Sequence, residues 1–119
     1  MEKNLMVVLS DFRRDNSGVA GIVLSTADGL PIACDPRDRM DFLCAAAAAI
    51  HRSGINLGNH LGMKDFRFAT VETDAGIFLV SGFDGVAVLV SLENITDIER
   101  TSRAIPQLMV KIRSSLGAE

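Results

Sequence analysis

Apolar side chains recur along this chain with two spacings, one typical of helices and one typical of strands. Near the start they fall at every third or fourth position, at Leu5, Val8, Leu9 and Phe12. This spacing predicts an amphipathic helix that stops at Asn16-Ser17-Gly18. It returns over residues 38–61 and again over residues 95–116, where Pro106 is expected to kink the helix or divide it in two.

Stretches rich in β-branched residues lie between these helices. Residues 19–25 run into Asp28-Gly29 and residues 30–34 return, which predicts a hairpin with a two-residue type I′ turn. Three more strands are predicted at 66–73, 76–81 and 86–92. Their short connections make neighbouring strands antiparallel. We therefore predict one α+β domain over residues 1–119: a single five-stranded antiparallel sheet with helices on both faces, in the order α-β-β-α-β-β-β-α.

The central predicted helix is unusually rich in small residues. Five consecutive alanines begin at Ala45, and Gly54 and Gly58 follow. Another backbone can therefore lie close to this helix. Because each interior glycine costs about 1 kcal/mol relative to alanine, we expect the helix to fray or end near Gly54 or Gly58.

Several of these segments together resemble the Roadblock/dynein light chain superfamily. They are the opening helix, the hairpin GIVLSTADGLPIA, the helix FLCAAAAAIHRSG and the meander FRFATVETDAGIFLVSGFDGVAVLVSL. The resemblance covers nearly the whole chain, and the stretch from Asp28 to Ala33 is its most specific part. Pro106 departs from the pattern, since an uninterrupted final helix is expected there.

This resemblance implies an assembly protein. Roadblock-type domains form dimers in which edge strands pair and central helices lie side by side, and the dimer is a platform for Ras-like small GTPases or a subunit of a motor or scaffold complex. Bacterial relatives of the mutual gliding protein B type act as GTPase-activating partners.

Composition and charge limit which partners and which cellular location are expected. The chain is 48% hydrophobic and 23% charged with a net charge of −3, and its basic residues are scattered, so nucleic acid is not an expected partner. The longest small-apolar run, residues 44–50, is too short to span a bilayer, and the first residues lack a signal-peptide pattern. We expect no membrane insertion and a cytoplasmic location, where Cys34 and Cys44 stay free thiols.

The pattern of reactive side chains predicts no catalytic residue, no cofactor and no metal site. His51 and His60 have no ligand at metal-binding spacing, and the residues Gly82-Phe83-Asp84-Gly85 are followed by a predicted strand rather than a helix. An enzyme or small-molecule sensor would need a pocket between sheet and helices. The chain is therefore predicted not to be a catalyst by itself.

Two features independently favour a homodimer. The strand 66–73 alternates apolar and polar residues and, at a sheet edge, would leave backbone groups open to a partner strand. The alanine face of the central helix is too small to fill a core alone, although it could instead sit close to its own sheet. The predicted dimer interface contains Ala45, Ala47, Ala48, Phe66, Phe68, Thr70 and Val71.

Charged residues around the same helix form a candidate partner-binding surface. They are Asp38, Arg39, Asp41, His51 and Arg52. Small residues bounded by charges suit the docking of another protein, although such charges also keep a helix soluble.

The leading hypothesis is a dimeric adaptor that binds a Ras-like small GTPase. Stimulated hydrolysis would come from Arg37, Arg39 or Arg52 facing phosphate charge or from positioning the GTPase's own groups. The alternative is a structural subunit of a signalling or motor-type complex with no effect on nucleotide turnover.

Overall fold

The computed structural model describes residues 4–37, 40–63, 66–74 and 76–117. In chain order the described elements are α1 (Leu5–Asp15), β1 (Val19–Thr26), β2 (Pro31–Asp35), α2 (Met40–His60), β3 (Ala69–Thr73), β4 (Gly76–Phe83), β5 (Val86–Leu92) and α3 (Ile98–Ser115). A short 3-10 turn, Ile95–Asp97, leads into α3. The predicted order of elements is confirmed.

The strands form one antiparallel sheet in the order β2-β1-β5-β4-β3. The helix α2 packs on one face, and α1 and α3 pack on the other. This places β2 and β3 at the two edges of the sheet. The predicted fold class is therefore confirmed.

Alternation along the strands divides the core into two layers. In β1, Ile22 and Leu24 join the layer beneath α1 and α3, whereas Val23 joins Cys44 and Ala47 beneath α2. Because both faces of the sheet are covered, the central strands read as continuous apolar runs rather than as strict alternation.

The type I′ turn predicted at Asp28-Gly29 does not form there. The hairpin between β4 and β5 has such a turn instead. Asp84 and Gly85 connect β4 to β5 with φ values of 37° and 81°, and both values lie in the left-handed region that this turn requires. In the β1–β2 connection only Gly29 has a positive φ, and its N–H donates to the Thr26 carbonyl. This loop is therefore longer than the predicted two residues.

Two predicted interruptions of helices do not occur. Helix α2 continues through Gly54 and Gly58, and α3 is a single helix with Pro106 inside it. Pro106 is exposed, so water can satisfy the Ser102 carbonyl that lacks a helical donor. The strand predicted from Phe66 also begins later, at Ala69.

Candidate protein interface

The strand β3 has one unpaired side. Its residues pair with β4 from Ala69 opposite Val80 to Thr73 opposite Gly76. On its other side no strand is found among the described residues. The outward backbone N–H and C=O groups are therefore open to a further strand.

The side chains of β3 alternate between the two faces of the sheet. Thr70 lies opposite Leu79 and Glu72 lies opposite Ile77, and both β4 residues are buried on the side of α1 and α3. Thr70 and Glu72 are exposed on this side. Val71 points to the other face, toward α2, and is half-buried.

The segment that leads into β3 is anchored at two points. The Phe66 ring occupies the space beside Gly54 on α2 and lies 5.6 Å from the His51 ring, measured between centroids. The Ser81 hydroxyl donates a 2.6 Å hydrogen bond to the Arg67 carbonyl. The edge strand is thus held in place by both α2 and β4.

Helix α2 ends in a defined turn rather than by fraying. The Met63 N–H donates to the Gly58 carbonyl at 2.8 Å and the Gly62 N–H to the Asn59 carbonyl at 3.2 Å. Gly62 has a φ of 72°, so these bonds form a Schellman motif. The ordered end fixes where the chain turns back toward β3.

Exposed apolar side chains recur in the last turns of α2 and in the turn that ends it. We call them the apolar patch, which consists of Ile55, Leu57, Leu61 and Met63. Phe68 is also exposed, but it lines a groove beside α3 on the other face of the sheet. Leu57, Leu61 and Met63 are each more than 60% exposed. Exposed apolar groups at this density are typical of surfaces that bind protein.

The β1–β2 loop is held against α2. A Cβ at Gly29 would lie 3.2 Å from the Ala45 Cα, a tight contact, and the φ of 90° at this position also favours glycine. An Arg52 Nη2 donates a 2.9 Å hydrogen bond to the Ala27 carbonyl. The Asp-Gly pair therefore serves the packing of the loop on the helix.

A second exposed apolar group lies near the start of α2. Phe42 is 70% exposed, and with Arg37, Met40 and Asp41 it lines an open hollow. Ala45, Ala49 and Ser53 follow at helical spacing on the exposed side. An apolar anchor beside small residues and charges resembles the centre and rim of a protein interface.

Burial keeps three titratable side chains, His51, Cys34 and Cys44, in their neutral forms. Burial lowers the pKa of His51 below its usual value, so the ring is neutral at neutral pH. Burial raises the pKa of the Cys34 and Cys44 thiols, which keeps them protonated and unreactive. Within the described ranges no cluster of side chains suits a metal ion.

Comparisons with a family model and with solved structures agree with the fold. The Roadblock/LC7 domain model matches residues 6–93. The chain belongs to the Roadblock/LC7 domain family. Across the described part of this Roadblock/LC7 chain, no helix is both long and apolar enough to cross a membrane.

Solved structures share the fold. A Roadblock/LC7 domain from Streptomyces avermitilis is 24% identical with a TM-score of 0.84, covering 98% of this chain and 100% of the other. Myxococcus xanthus MglB is 13% identical with a TM-score of 0.80, covering 97% and 96%. An MglB with a tetrameric arrangement is 13% identical with a TM-score of 0.67, covering 91% and 89%. No curated protein sequence matches significantly.

The residues predicted for the dimer interface of this Roadblock/LC7 protein divide by exposure. Ala45, Phe68 and Thr70 are exposed, and Phe66 and Val71 are half-buried. These residues remain predicted interface residues.

For two alanines of that set the prediction of an interface role is wrong. Ala47 and Ala48 are 0% and 4% exposed, because α2 lies against its own sheet along this side. A second copy of the chain cannot reach them. The alternative use of the alanine face, close packing within one chain, accounts for these two residues.

The predicted partner-binding residues also differ in their exposure and contacts. Asp38 and Arg39 lie outside the described residues, and Asp41 is exposed near Phe42. His51 is only 8% exposed, so it belongs to the packing beneath α2 and not to a docking surface. Arg52 is exposed but contacts the β1–β2 loop of its own chain.

Sequence reasoning missed Phe42 as a surface group. It lies out of phase with Cys44 and Ala47, which helical spacing places on the buried side. That phase difference was the available signal.

Proposed function

We propose that this Roadblock/LC7 protein is a non-catalytic homodimeric adaptor that binds a Ras-like small GTPase and stimulates its GTP hydrolysis. The open edge of β3 is the observation that carries the proposal, because an exposed edge strand is stabilised by pairing with another strand. Two copies joined through β3 would share one continuous sheet.

The apolar patch supports the same arrangement. Its residues lie in the last turns of α2 and in the turn that follows, and Phe66 beside Gly54 holds the approach to β3 against this helix, so pairing at the edge would bring a second copy near them. Removing such side chains from water favours association by about 25 cal/mol per Å² of apolar surface. The MglB structure with a tetrameric arrangement is a precedent for self-association in this fold.

The mass of the protein in solution tests the dimer directly. Size exclusion with light scattering at micromolar concentration should give the mass of two chains. A monomer mass under these conditions would rule out the proposed homodimer.

The GTPase would bind the exposed side of α2. Phe42 supplies an apolar anchor, Arg37 and Asp41 supply charges at its rim, and the small side chains of Ala45 and Ala49 allow close approach. The resemblance to Roadblock-type proteins and the fold shared with MglB support a GTPase as the partner.

Stimulation of GTP hydrolysis would act by positioning groups of the GTPase itself. The described residues that line the hollow beside Phe42 include the carboxylate of Asp41 but no carboxylate pair or nucleophile set, whereas a rigid helix can hold the GTPase's own water-positioning groups in place. Arg37 is the described arginine nearest to this anchor along the chain, and it is the candidate for contact with phosphate charge.

Phosphate release provides the decisive measurement. The purified protein should be mixed with a Ras-like GTPase from the same organism, and single-turnover release of phosphate should accelerate with protein concentration. Binding without acceleration would indicate a passive adaptor. If affinity capture recovers scaffold proteins and no GTPase, a structural subunit is the better description.

A further inference from the structure

A groove lies between α3 and the segment that leads into β3. Its volume is about 410 Å³. The residues that line it come from these two parts of the chain: Arg67, Phe68, Ser102, Arg103, Ile105 and Pro106. Phe68 is 40% exposed, whereas Ile105 is buried and forms an apolar floor. Because α3 covers the face of the sheet opposite α2, the groove opens on that opposite face.

Pro106 gives this groove an open backbone acceptor. A proline has no N–H, so the carbonyl of Ser102, one helical turn earlier, does not receive the usual helical hydrogen bond. This carbonyl points along the helix toward Pro106, and both residues line the groove. A bound group with an N–H can therefore pair with the Ser102 carbonyl.

The rim of the groove carries two guanidinium groups. Among the described residues, no carboxylate lies within ion-pair distance of the exposed Arg67 side chain. Arg103 pairs with Glu99 through one nitrogen, Nη2, at 2.6 Å, and both side chains are 76% exposed. An exposed pair of this kind contributes little to stability, and the other nitrogens of Arg103 remain able to bind a second carboxylate. The rim therefore favours an anionic partner.

We propose that this groove binds an acidic peptide segment of a partner protein. Carboxylates of the segment pair with Arg67 and Arg103. An apolar side chain between them lies against Phe68 and above Ile105. One backbone N–H of the segment donates to the Ser102 carbonyl.

The open carbonyl favours a peptide over a nucleic acid. Every peptide unit except that of proline carries an N–H, whereas a phosphodiester backbone has no hydrogen-bond donor. Nucleic-acid binding also relies on many basic groups, and the rim of this groove has only Arg67 and Arg103 among its lining residues. A peptide can use the charges, the apolar floor and the carbonyl together.

The groove is separate from the proposed GTPase surface. Phe42 lies on α2, and α2 and α3 cover opposite faces of the sheet. Binding of the acidic segment therefore does not depend on the proposed GTPase. A chain with both surfaces joins two different partners at the same time.

Nuclear magnetic resonance tests where such a segment binds. The probes are short synthetic peptides in which one leucine or phenylalanine lies between glutamates, titrated into the isotope-labelled full chain. The amide signals of Phe68, Arg103 and Ile105 should shift with saturable binding, and those around Phe42 should not. If no peptide shifts the groove signals at millimolar concentration, or if a single-stranded oligonucleotide binds there more tightly, the proposal is wrong.

Substitution of Pro106 tests the open carbonyl. Pro106→Ala and Pro106→Leu both supply the missing N–H, and the second keeps an apolar side chain at the groove. Both residues have better helix propensity than proline, so the fold should be retained while peptide affinity falls about fivefold in each variant. Unchanged affinity in both variants would overturn the proposed contact with the Ser102 carbonyl and with it the proposal.

Substitution of Arg67 tests the charge contact. Arg67→Gln should lower peptide affinity about tenfold, because it removes a charge-assisted hydrogen bond. Lys111→Gln is the matched control, since Lys111 lines a different hollow between α1 and α3, and its affinity should be unchanged. Equal losses in the two variants would indicate binding by net charge alone and would overturn the groove as the site. Circular dichroism checks that each variant is folded.

Discussion

The Phe66 ring fills the space that a side chain at position 54 would occupy. An ideal Cβ on Gly54 would lie 2.3 Å from Phe66 Cε1, far inside contact distance. The glycine therefore lets the segment before β3 lie directly on α2. Through this contact the position of the edge strand depends on the helix.

Gly54→Ala should consequently destabilise the protein. The better helix propensity of alanine is outweighed by displacement of the ring, and we expect the free energy of unfolding to fall by about 1 to 3 kcal/mol in urea denaturation.

Gly58→Ala is the matched control. The nearest atom to a Cβ there is the Met63 carbonyl oxygen at 3.7 Å, an ordinary contact. This variant should gain about 0.5 to 1 kcal/mol. Equal effects of the two substitutions would show that the contact with Phe66 carries no energy.

Burial of His51 makes stability depend on pH. Its pKa is lowered from an unfolded value near 6.5, so below that pH the unfolded chain takes up a proton that the folded chain resists. The free energy of unfolding should therefore fall as the pH falls below 6.5 and should be insensitive to this group above it.

Urea denaturation from about pH 7.5 to about pH 5 measures this dependence. His51→Gln should reduce the slope, whereas the exposed His60→Gln should leave it unchanged. An identical slope in the wild type and His51→Gln would contradict a buried neutral ring.

The burial of Ala47 predicts a folding defect. A Glu at this fully buried position places a carboxylate against the sheet, which should cost about 3 kcal/mol or more. Ala49→Glu, on the exposed side of the same helix, should change stability by less than about 0.5 kcal/mol. Circular dichroism in urea compares the pair. A folded Ala47→Glu protein of wild-type stability would contradict the packing of α2.

The sequence predicted the order of elements well because apolar spacing determined both helices and strands. It predicted the phase of α2 less well, since five alanines carry no contrast between apolar and polar faces. Ala47 and His51 were therefore assigned to interfaces, although both are buried within the chain.

Local sequence motifs also left the structure ambiguous. An Asp-Gly pair suits either a two-residue turn or a longer loop, and the chain has one of each, at Asp84-Gly85 and at Asp28-Gly29. The choice depends on strand register and on packing against Ala45, which are tertiary properties. The sequence likewise left open whether the strand beginning at Phe66 lies at a sheet edge, because that position depends on the pairing of β1 with β5, which are far apart in the chain.

The proposed partner surface gives the last prediction, on the exposed side of α2. Phe42→Ser should weaken binding of the cognate GTPase about tenfold or more, because a buried aromatic anchor contributes most to such interfaces. Since Phe42 is 70% exposed, its replacement should leave the free energy of unfolding unchanged. Arg52→Glu should weaken binding less and should also destabilise the fold by about 1 kcal/mol, since Arg52 bonds the Ala27 carbonyl. Titration calorimetry with urea denaturation of both variants separates these effects. Unchanged affinity in Phe42→Ser, with the dimer mass preserved, would show that the partner does not bind at this anchor.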